Sequence, residues 1–472
     1  MKRSDIFKEL STCQGHYNNH NLVSNDIEIN FSHSKIPEEA FKKFDHLTKS
    51  LQIIDIFNSF FSDNNHNFTE DRSVNHHQLR SQTATPYTHE MNRLIDFINS
   101  DSLSHITDVV QIGIGGSHLG PQTLYDCLEA QLINENQYPH LKGHFISNID
   151  PIEFKYYTSK LNPKTTLFLI ASKSGSTLEV NSNFKLLKQW WNTHNLPDAQ
   201  LKDHCIALTS KHSTLDDSAL FFKRFYIDES IGGRFSTTSV IGMCIIGLCF
   251  GSNIISEILA GALAMDINAK LPNISENLAL VSSWEHIWQR NIKNYPLRAV
   301  VAYSYALRSF PAFIQQLTCE SNGKSVDKNN ERLSYKTAPM IIAGIGTNAQ
   351  HSFFQLIHQG TDTIPIEFIG IKQSNLAAKT DLEKNAHNLL LANLNAQIKA
   401  LDEGEYSANN HFLFKGNKPS LSITLKSLTP HSLGQLIAYY ENKTMFEGLI
   451  WNINSFDQIG VQLAKKLIKE IT

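Results

Sequence analysis

Four stretches of this 472-residue chain carry residue types and spacings that could do chemistry. The first is residues 315–327 (QQLTCESNGKSVD), which set one carboxylate, Glu320, between an apolar approach and a polar turn. Residues 310–319 are apolar at helical intervals after a proline-containing start, and Ser321, Asn322 and Gly323 are turn formers expected to stop that helix. Glu320 is then expected at the end of a buried segment, partly stripped of water. There its pKa rises toward the range in which it can take and return a proton near neutral pH. The window by itself also fits a solvated glutamate in a loop.

The second stretch, residues 171–180 (ASKSGSTLEV), follows the apolar run TTLFLI and precedes a helix. It groups the hydroxyls of Ser172, Ser174, Ser176 and Thr177 around one glycine. Hydroxyls and main-chain N–H groups at a helix start can bind a phosphate dianion. The GxxxxGK[ST] pattern is absent, so the loop suits a phosphomonoester better than ATP, and a serine-rich helix cap is the structural alternative. The third, residues 232–236 (GGRFS), offers Arg234, whose fixed fork of donors fits a developing oxyanion, or else a structural ion pair. In the fourth, residues 346–351 (GTNAQH) follow a strand and begin a helix. A helix start disfavours the imidazolium of His351 and suits it to neutral acid–base work, although a hydrogen-bonded structural histidine reads the same way.

Residues 111–121 (QIGIGGSHLGP) leave a strand and open a helix, so N–H groups near Gly115, Gly116 and Ser117 could face an anion or a sugar oxygen. The spacing is not GxGxxG, and no acidic residue closes a second strand about twenty residues on, which argues against a dinucleotide. His16 and His20 stand four apart, but no acidic residue follows the first as in HExxH, so two solvated histidines are the simpler reading and no metal is expected.

These loops need strands to end on and helices to begin. From residue 108 onward, short β-rich runs (DVVQIGIGG, GHFISNID, TTLFLIASKS, HCIALTS) alternate with amphipathic segments, and a second series (RAVVAYS, PMIIAGIG, IPIEFIGI) begins near residue 298. Such alternation predicts α/β architecture in two units, each a parallel sheet flanked by helices. The expected division is a mostly helical segment over 1–95, a first α/β domain with the phosphate loop over 96–255, and a second over 256–472. The C-terminal part of the second is expected to be two helices broken at residues 452–455.

Composition narrows the partners. Hydrophobic residues make up 41% and charged residues 18%, as in a globular chain with a sizeable core. Lys and Arg total 42 against 45 Asp and Glu, without a block of like charge, which argues against nucleic acid or a membrane surface and leaves small molecules. The six cysteines include no CxxC pair and sit mostly in apolar surroundings, as reduced thiols do. With no signal-peptide core and no apolar run of about eighteen residues, the expected location is cytoplasmic.

Taken together, SKSGST, GGRFSTTSVIG, QQLTCESNGKSV, GTNAQHSFFQLIHQG and WNINSFDQIGVQLAK resemble, in order, motifs of the glucose-6-phosphate isomerase (phosphoglucose isomerase) family, a likeness running from about residue 108 to the C-terminus. The resemblance implies two sugar isomerase (SIS) domains with helical N- and C-terminal extensions, assembled as a homodimer with shared active sites. It implies interconversion of glucose 6-phosphate and fructose 6-phosphate through a cis-enediolate, in glycolysis and gluconeogenesis, with no cofactor. Matched by motif, the proton-shuttling glutamate falls on Glu320, the ring-opening histidine on His351, contributed by the neighbouring subunit, and the final-motif lysine on Lys465. The enediolate-stabilising arginine falls on Arg234. Phosphate contacts fall on Ser172, Ser174, Ser176 and Thr177, and further substrate contacts on Gly116, Ser117, Gln316 and Gln458.

The chain departs from the family's WGEPGTNGQH, reading Ile342 to His351 without the Trp, Glu and Pro, and carries Ile459, Gln462 and Ala464 in the final motif. None of these removes a group assigned to proton transfer. A non-catalytic SIS-domain sugar-phosphate sensor would need the phosphate loop but not Glu320, His351 and Lys465 together. An isomerase of another phosphosugar would share the chemistry.

Overall fold

The computed structural model describes residues 3–17, 19–62, 66–100, 103–135, 137–373 and 380–471. Among them the strands, in chain order, are β1 (Asn21–Ser24), β2 (Ile27–Asn30), β3 (Asp108–Ile112), β4 (Lys142–Ile146), β5 (Thr166–Ala171), β6 (Cys205–Thr209), β7 (Lys223–Tyr226), β8 (Leu297–Ala302), β9 (Met340–Ile345), β10 (Ile366–Gln373) and β11 (Ser420–Ser427). The first sheet runs β4-β3-β5-β6-β7, parallel throughout. The second runs β1-β2-β11-β10-β8-β9, with β8 to β11 parallel.

The inner strands read as unbroken apolar runs because both of their faces are covered. Alternate residues divide cleanly between two cores. Val109, Leu167, Leu169 and Ile206 join the large central core, and Val110, Ile112, Phe168 and Ile170 join the outer one. The second sheet does the same, with Val300 and Ile369 facing the centre, and Ala299, Val301 and Phe368 facing outward. The central core therefore lies between the two sheets and locks them to one another.

The segment 1–95 is mostly helical but also carries a hairpin, which adds β2 antiparallel to β11, and β1 antiparallel to β2, so the second sheet is mixed rather than wholly parallel. Four-residue strands, one of them exposed or half-buried along its length, are too short to show a period in sequence. The helix Pro86–Ile98, capped by Thr85, also crosses the expected boundary. In addition, the stretch Gly233–Phe250 is apolar enough by composition to span a membrane, against the sequence expectation, but 94% of it is buried inside the fold. Among the described residues the cysteines are free, and all but Cys319 are buried.

The helix Pro430–Trp451 runs through the middle of the molecule, packed against the helices Ser252–Ala269, Leu278–Ile287 and Phe310–Asn322. It ends at Asn452, which adopts a left-handed conformation (φ 59). Its buried charges are paired: Glu441 with Arg80, and Glu447 with Lys443 (2.9 Å) and with His286 Nδ1 (2.5 Å). Such pairing is the condition for keeping ions in a core.

Candidate active site

The site is built first on the carboxyl ends of β3 and β5, neighbours in the first sheet, where parallel strands of open α/β sheets present their loops to ligands. After β3, residues Gly115–Ser117 form one tight helical turn. A Cβ on Gly116 would fall on the carbonyl of Gly233, so only glycine lets this turn lie against the Gly233–Phe235 turn that carries Arg234. After β5, the hydroxyl loop closes on itself. Ser172 Oγ and Thr177 Oγ1 share a hydrogen bond of 2.8 Å, and Ser176 donates to Ser174 Oγ through its main-chain N–H (3.2 Å) and its hydroxyl (3.0 Å). Gly175 turns the loop with φ +68, and its carbonyl accepts from Thr214 Oγ1 (2.7 Å). Thr177 is the N-cap of the helix Leu178–Thr193, but its side chain bonds Ser172 and makes no cap bond. The first N–H groups of that helix therefore stay open to an anion.

The second half comes from the helix Phe310–Asn322. This helix does not stop before Ser321 as expected but runs on to Asn322. Ser321 and Asn322 do not break it, because their side chains are taken by buried partners elsewhere in the chain. Ser321 Oγ accepts from Arg234 Nε (2.5 Å), and Asn322 Nδ2 donates to Thr444 O (3.0 Å) and Glu447 Oε2 (3.1 Å). Glu320 consequently lies in the last helical turn, its side chain 28% exposed. It faces polar groups, with Arg234 Nη1 at 3.3 Å from Oε1 and Gln316, one turn back, donating to Oε2 (2.9 Å).

Arg234, 2% exposed, is the hub. Besides bonding Ser321 and pairing with Glu320, it donates to Gln458 Oε1 (2.9 Å), Ser455 O (2.5 Å) and Asp457 O (3.0 Å). Burial draws its pKa down, and Glu320 and Asp457 oppose that. Gln316 lies against the Gly115 turn, and its Oε1 is buried without a hydrogen-bond partner among the described residues. The structure thus brings Glu320, Arg234, Gln316, Gln458, Gly116 and Ser117 together. The hydroxyl loop adjoins them through Lys173, whose Nζ donates to Glu229 O (3.0 Å) and Ile231 O (2.9 Å) just ahead of Arg234. Burial, with Arg72 beside it, draws the Lys173 ammonium down to about 8.

His351 and Lys465 are not brought in. His351 is exposed in the Asn348–His351 turn after β9, where Thr347 has φ 51 and Gln350 donates to Tyr303 Oη (2.9 Å). Lys465 is exposed on the helix Gln462–Ile471. Among the described residues neither is bonded to Glu320, Arg234, Gln316 or Gln458, whose side-chain partners are those already named. The sequence reading missed Lys173, Ser321, Lys324 and Asp457. Lys324 follows Glu320 by four residues, a helical spacing, but Gly323 intervenes and hides where the amine goes. Among the described residues no group of three or more His, Cys, Asp or Glu side chains is placed to hold a metal ion.

Comparison with known proteins follows the same lines. The family model for phosphoglucose isomerase matches residues 30–472. A glucose-6-phosphate isomerase from Borreliella afzelii (strain PKo) is 37% identical over 95% of this chain and 88% of the relative. One from Chlamydia pneumoniae is 42% identical over 81% of this chain and 71% of the relative. The crystal structure of a glucose-6-phosphate isomerase from Chlamydia trachomatis D/UW-3/Cx superposes with a TM-score of 0.90 at 32% identity, covering 100% of this chain and 95% of that one. With the two-sheet α/β fold and the Glu320–Arg234 centre already described, the chain belongs to the phosphoglucose isomerase family, enzymes that interconvert glucose 6-phosphate and fructose 6-phosphate.

Proposed function

We propose that in this aldose–ketose isomerase Glu320 is the carboxylate that takes the proton from C2 and returns it to C1 of a hexose 6-phosphate. Isomerisation leaves an enediolate between the two transfers, so one base on one face can serve both, provided a cation stabilises the intermediate oxygen. The observation that carries the reading is the placing of the Glu320 carboxylate, 3.3 Å from the Arg234 guanidinium and hydrogen-bonded to Gln316, beside the Gly115–Ser117 turn. Arg234 serves as the cation. Ser172, Ser174, Ser176 and Thr177, with the open start of the helix Leu178–Thr193, take the phosphate and hold the carbon chain against Glu320 by binding energy remote from the reacting atoms. Gly116, Ser117, Gln316 and Gln458 contact the sugar, and the unpaired Gln316 Oε1 offers an acceptor to a hydroxyl.

Ring opening is assigned to His351 and Lys465. Their exposure and their separation from Glu320 within one chain support a homodimer in which His351 of one copy completes the site of the other. No residue assigned here calls for a cofactor or metal, and the working location is the cytoplasm. Glu320→Gln keeps the hydrogen-bonding shape and removes the base. Turnover in a coupled assay following fructose 6-phosphate to glucose 6-phosphate is expected to fall at least about a hundredfold, with substrate binding largely intact. Near-normal turnover of the purified variant would sink the assignment.

A further inference from the structure

After Asn452 the chain crosses the C-terminal end of the Glu320 helix as a short strap, residues 454–458, before the turn that leads to the last helix. All four carbonyls from Asn454 to Asp457 are held by cationic side chains. Lys324 Nζ donates to Asn454 O (3.0 Å) and Asp457 O (2.9 Å), and Arg234 to Ser455 O (2.5 Å) and Asp457 O (3.0 Å). Arg72 donates to Phe456 O (2.9 Å). Lys324 also donates to Ser321 O (2.8 Å), one of the carbonyls a helix leaves unpaired at its end, and pairs with Asp457 Oδ1 (3.0 Å). A second stitch runs from Ser455 Oγ to Asn322 Oδ1 (2.7 Å). Two of the acceptors that orient the Arg234 guanidinium, Ser455 O and Asp457 O, thus sit on the strap, as does Gln458.

We propose that Lys324 is a positioning residue for the isomerisation: by tying the end of the Glu320 helix to the strap, it sets where Arg234 and Gln458 stand relative to the Glu320 carboxylate. This rests on the assignment of Glu320 as the proton shuttle. Lys324 needs no contact with substrate to act. Its Nζ is surrounded by carbonyls of the helix end and the strap and by the Asp457 carboxylate. Without it, the strap keeps Arg234, Arg72 and the Ser455–Asn322 hydrogen bond but loses the ties at Asn454 O and Asp457 O to the end of the helix on which Glu320 rides. The carbonyls that orient the guanidinium can then shift relative to the carboxylate. The phosphate loop belongs to the other sheet and shares no bond with Lys324, so capture of the substrate is expected to survive the change.

The test uses the full-length protein. Lys324→Met is combined with Asp457→Asn, so that no carboxylate is left facing the strap without its cation. The double variant is expected to melt cooperatively, with kcat on fructose 6-phosphate down at least roughly tenfold and KM changed by less than about threefold, the signature of lost transition-state geometry. Amide hydrogen exchange over residues 454–461 is expected to accelerate while residues 171–180 keep their rate, and Lys324→Arg alone is expected to recover much of the lost kcat. A folded double variant whose kcat stays within about twofold of the parent overturns the proposal, as does a loss confined to KM. If the double variant does not fold, the singles Lys324→Gln and Asp457→Asn decide. A kcat drop at an unchanged melting temperature supports the proposal, and an unchanged kcat overturns it. Glu320→Gln run in parallel separates the two ideas. Normal turnover there removes the shuttle assignment, while strap exchange and the kcat of the Lys324 variants still report on positioning.

Discussion

The Arg234 guanidinium donates to Ser321, Gln458, Ser455 and Asp457 inside the fold and forms an ion pair with Glu320. A lysine at this position would bring the charge without the planar fork and could satisfy only part of that set. Arg234→Lys is therefore expected to lower both the melting temperature and kcat, the latter by roughly a hundredfold, as for loss of a preorganised oxyanion donor. Thermal melts and the coupled assay measure the two separately, and a variant with full turnover would contradict the hub role. The residue types at Glu320 and Arg234 could be singled out in sequence because a lone carboxylate among apolar neighbours and an arginine between glycines and an apolar helix are conspicuous. Their pairing could not, since Arg234 and Glu320 lie on different elements far apart in the chain.

At the scale of elements, the hydroxyl loop after β5 shows how little tertiary information some local arrangements need. A strand, four hydroxyls, one glycine and a helix start are all local, and the structure assembles them as read, with Gly175 at φ +68. A methyl group on Gly175 would meet Thr214 Oγ1 at 2.7 Å and would force a left-handed alanine, a strain of ~1–2 kcal/mol. Gly175→Ala is expected to raise KM for fructose 6-phosphate about tenfold with kcat nearly unchanged, because the loop contributes binding remote from C1 and C2. Steady-state kinetics decides it, and a kcat effect without a KM effect would contradict phosphate binding here. The helix carrying Glu320 was harder to read. Ser321 and Asn322 are turn formers by propensity, but buried partners on other elements hold them helical.

For the whole molecule, two predictions concern assembly and acidity. If His351 serves the neighbouring site, mixing inactive Glu320→Gln and His351→Ala proteins and letting subunits exchange is expected to restore activity, since the hybrid carries one site with both groups intact. No recovery, with hybrids present by native mass spectrometry, would place His351 in its own chain's site. The second prediction concerns His77, buried against Phe61 with neither ring nitrogen hydrogen-bonded among the described residues. Burial, reinforced by Arg80 and Lys270, draws its pKa from 6.5 to about 3, and burial likewise lowers its neighbour His76. As pH falls through about 6.5, the unfolded chain takes up protons that the folded one refuses. Stability is thus fully present above that value and declines toward the folded pKa, by up to ~1.4 kcal/mol per pH unit for each such histidine. Melting temperatures measured between about pH 7 and pH 5 are expected to fall, and His77→Phe is expected to flatten the slope. An unchanged slope would exclude His77 as a source.

The sequence by itself determined the two α/β units, the hydroxyl-rich loop after β5, Glu320 and Arg234 as candidates and the family, because alternation, hydroxyl clustering and motif order are written in residues a few positions apart. Only the tertiary structure decided that the N-terminal hairpin completes the second sheet, that the Glu320 carboxylate faces the Arg234 guanidinium, and that Lys324 and Arg234 fasten the strap to the helix that carries Glu320. Those decisions rest on hydrogen bonds between residues far apart in the chain, such as Arg234 to Ser321 (87 positions) and to Gln458 (224 positions), and no local period or propensity encodes a partner at that distance.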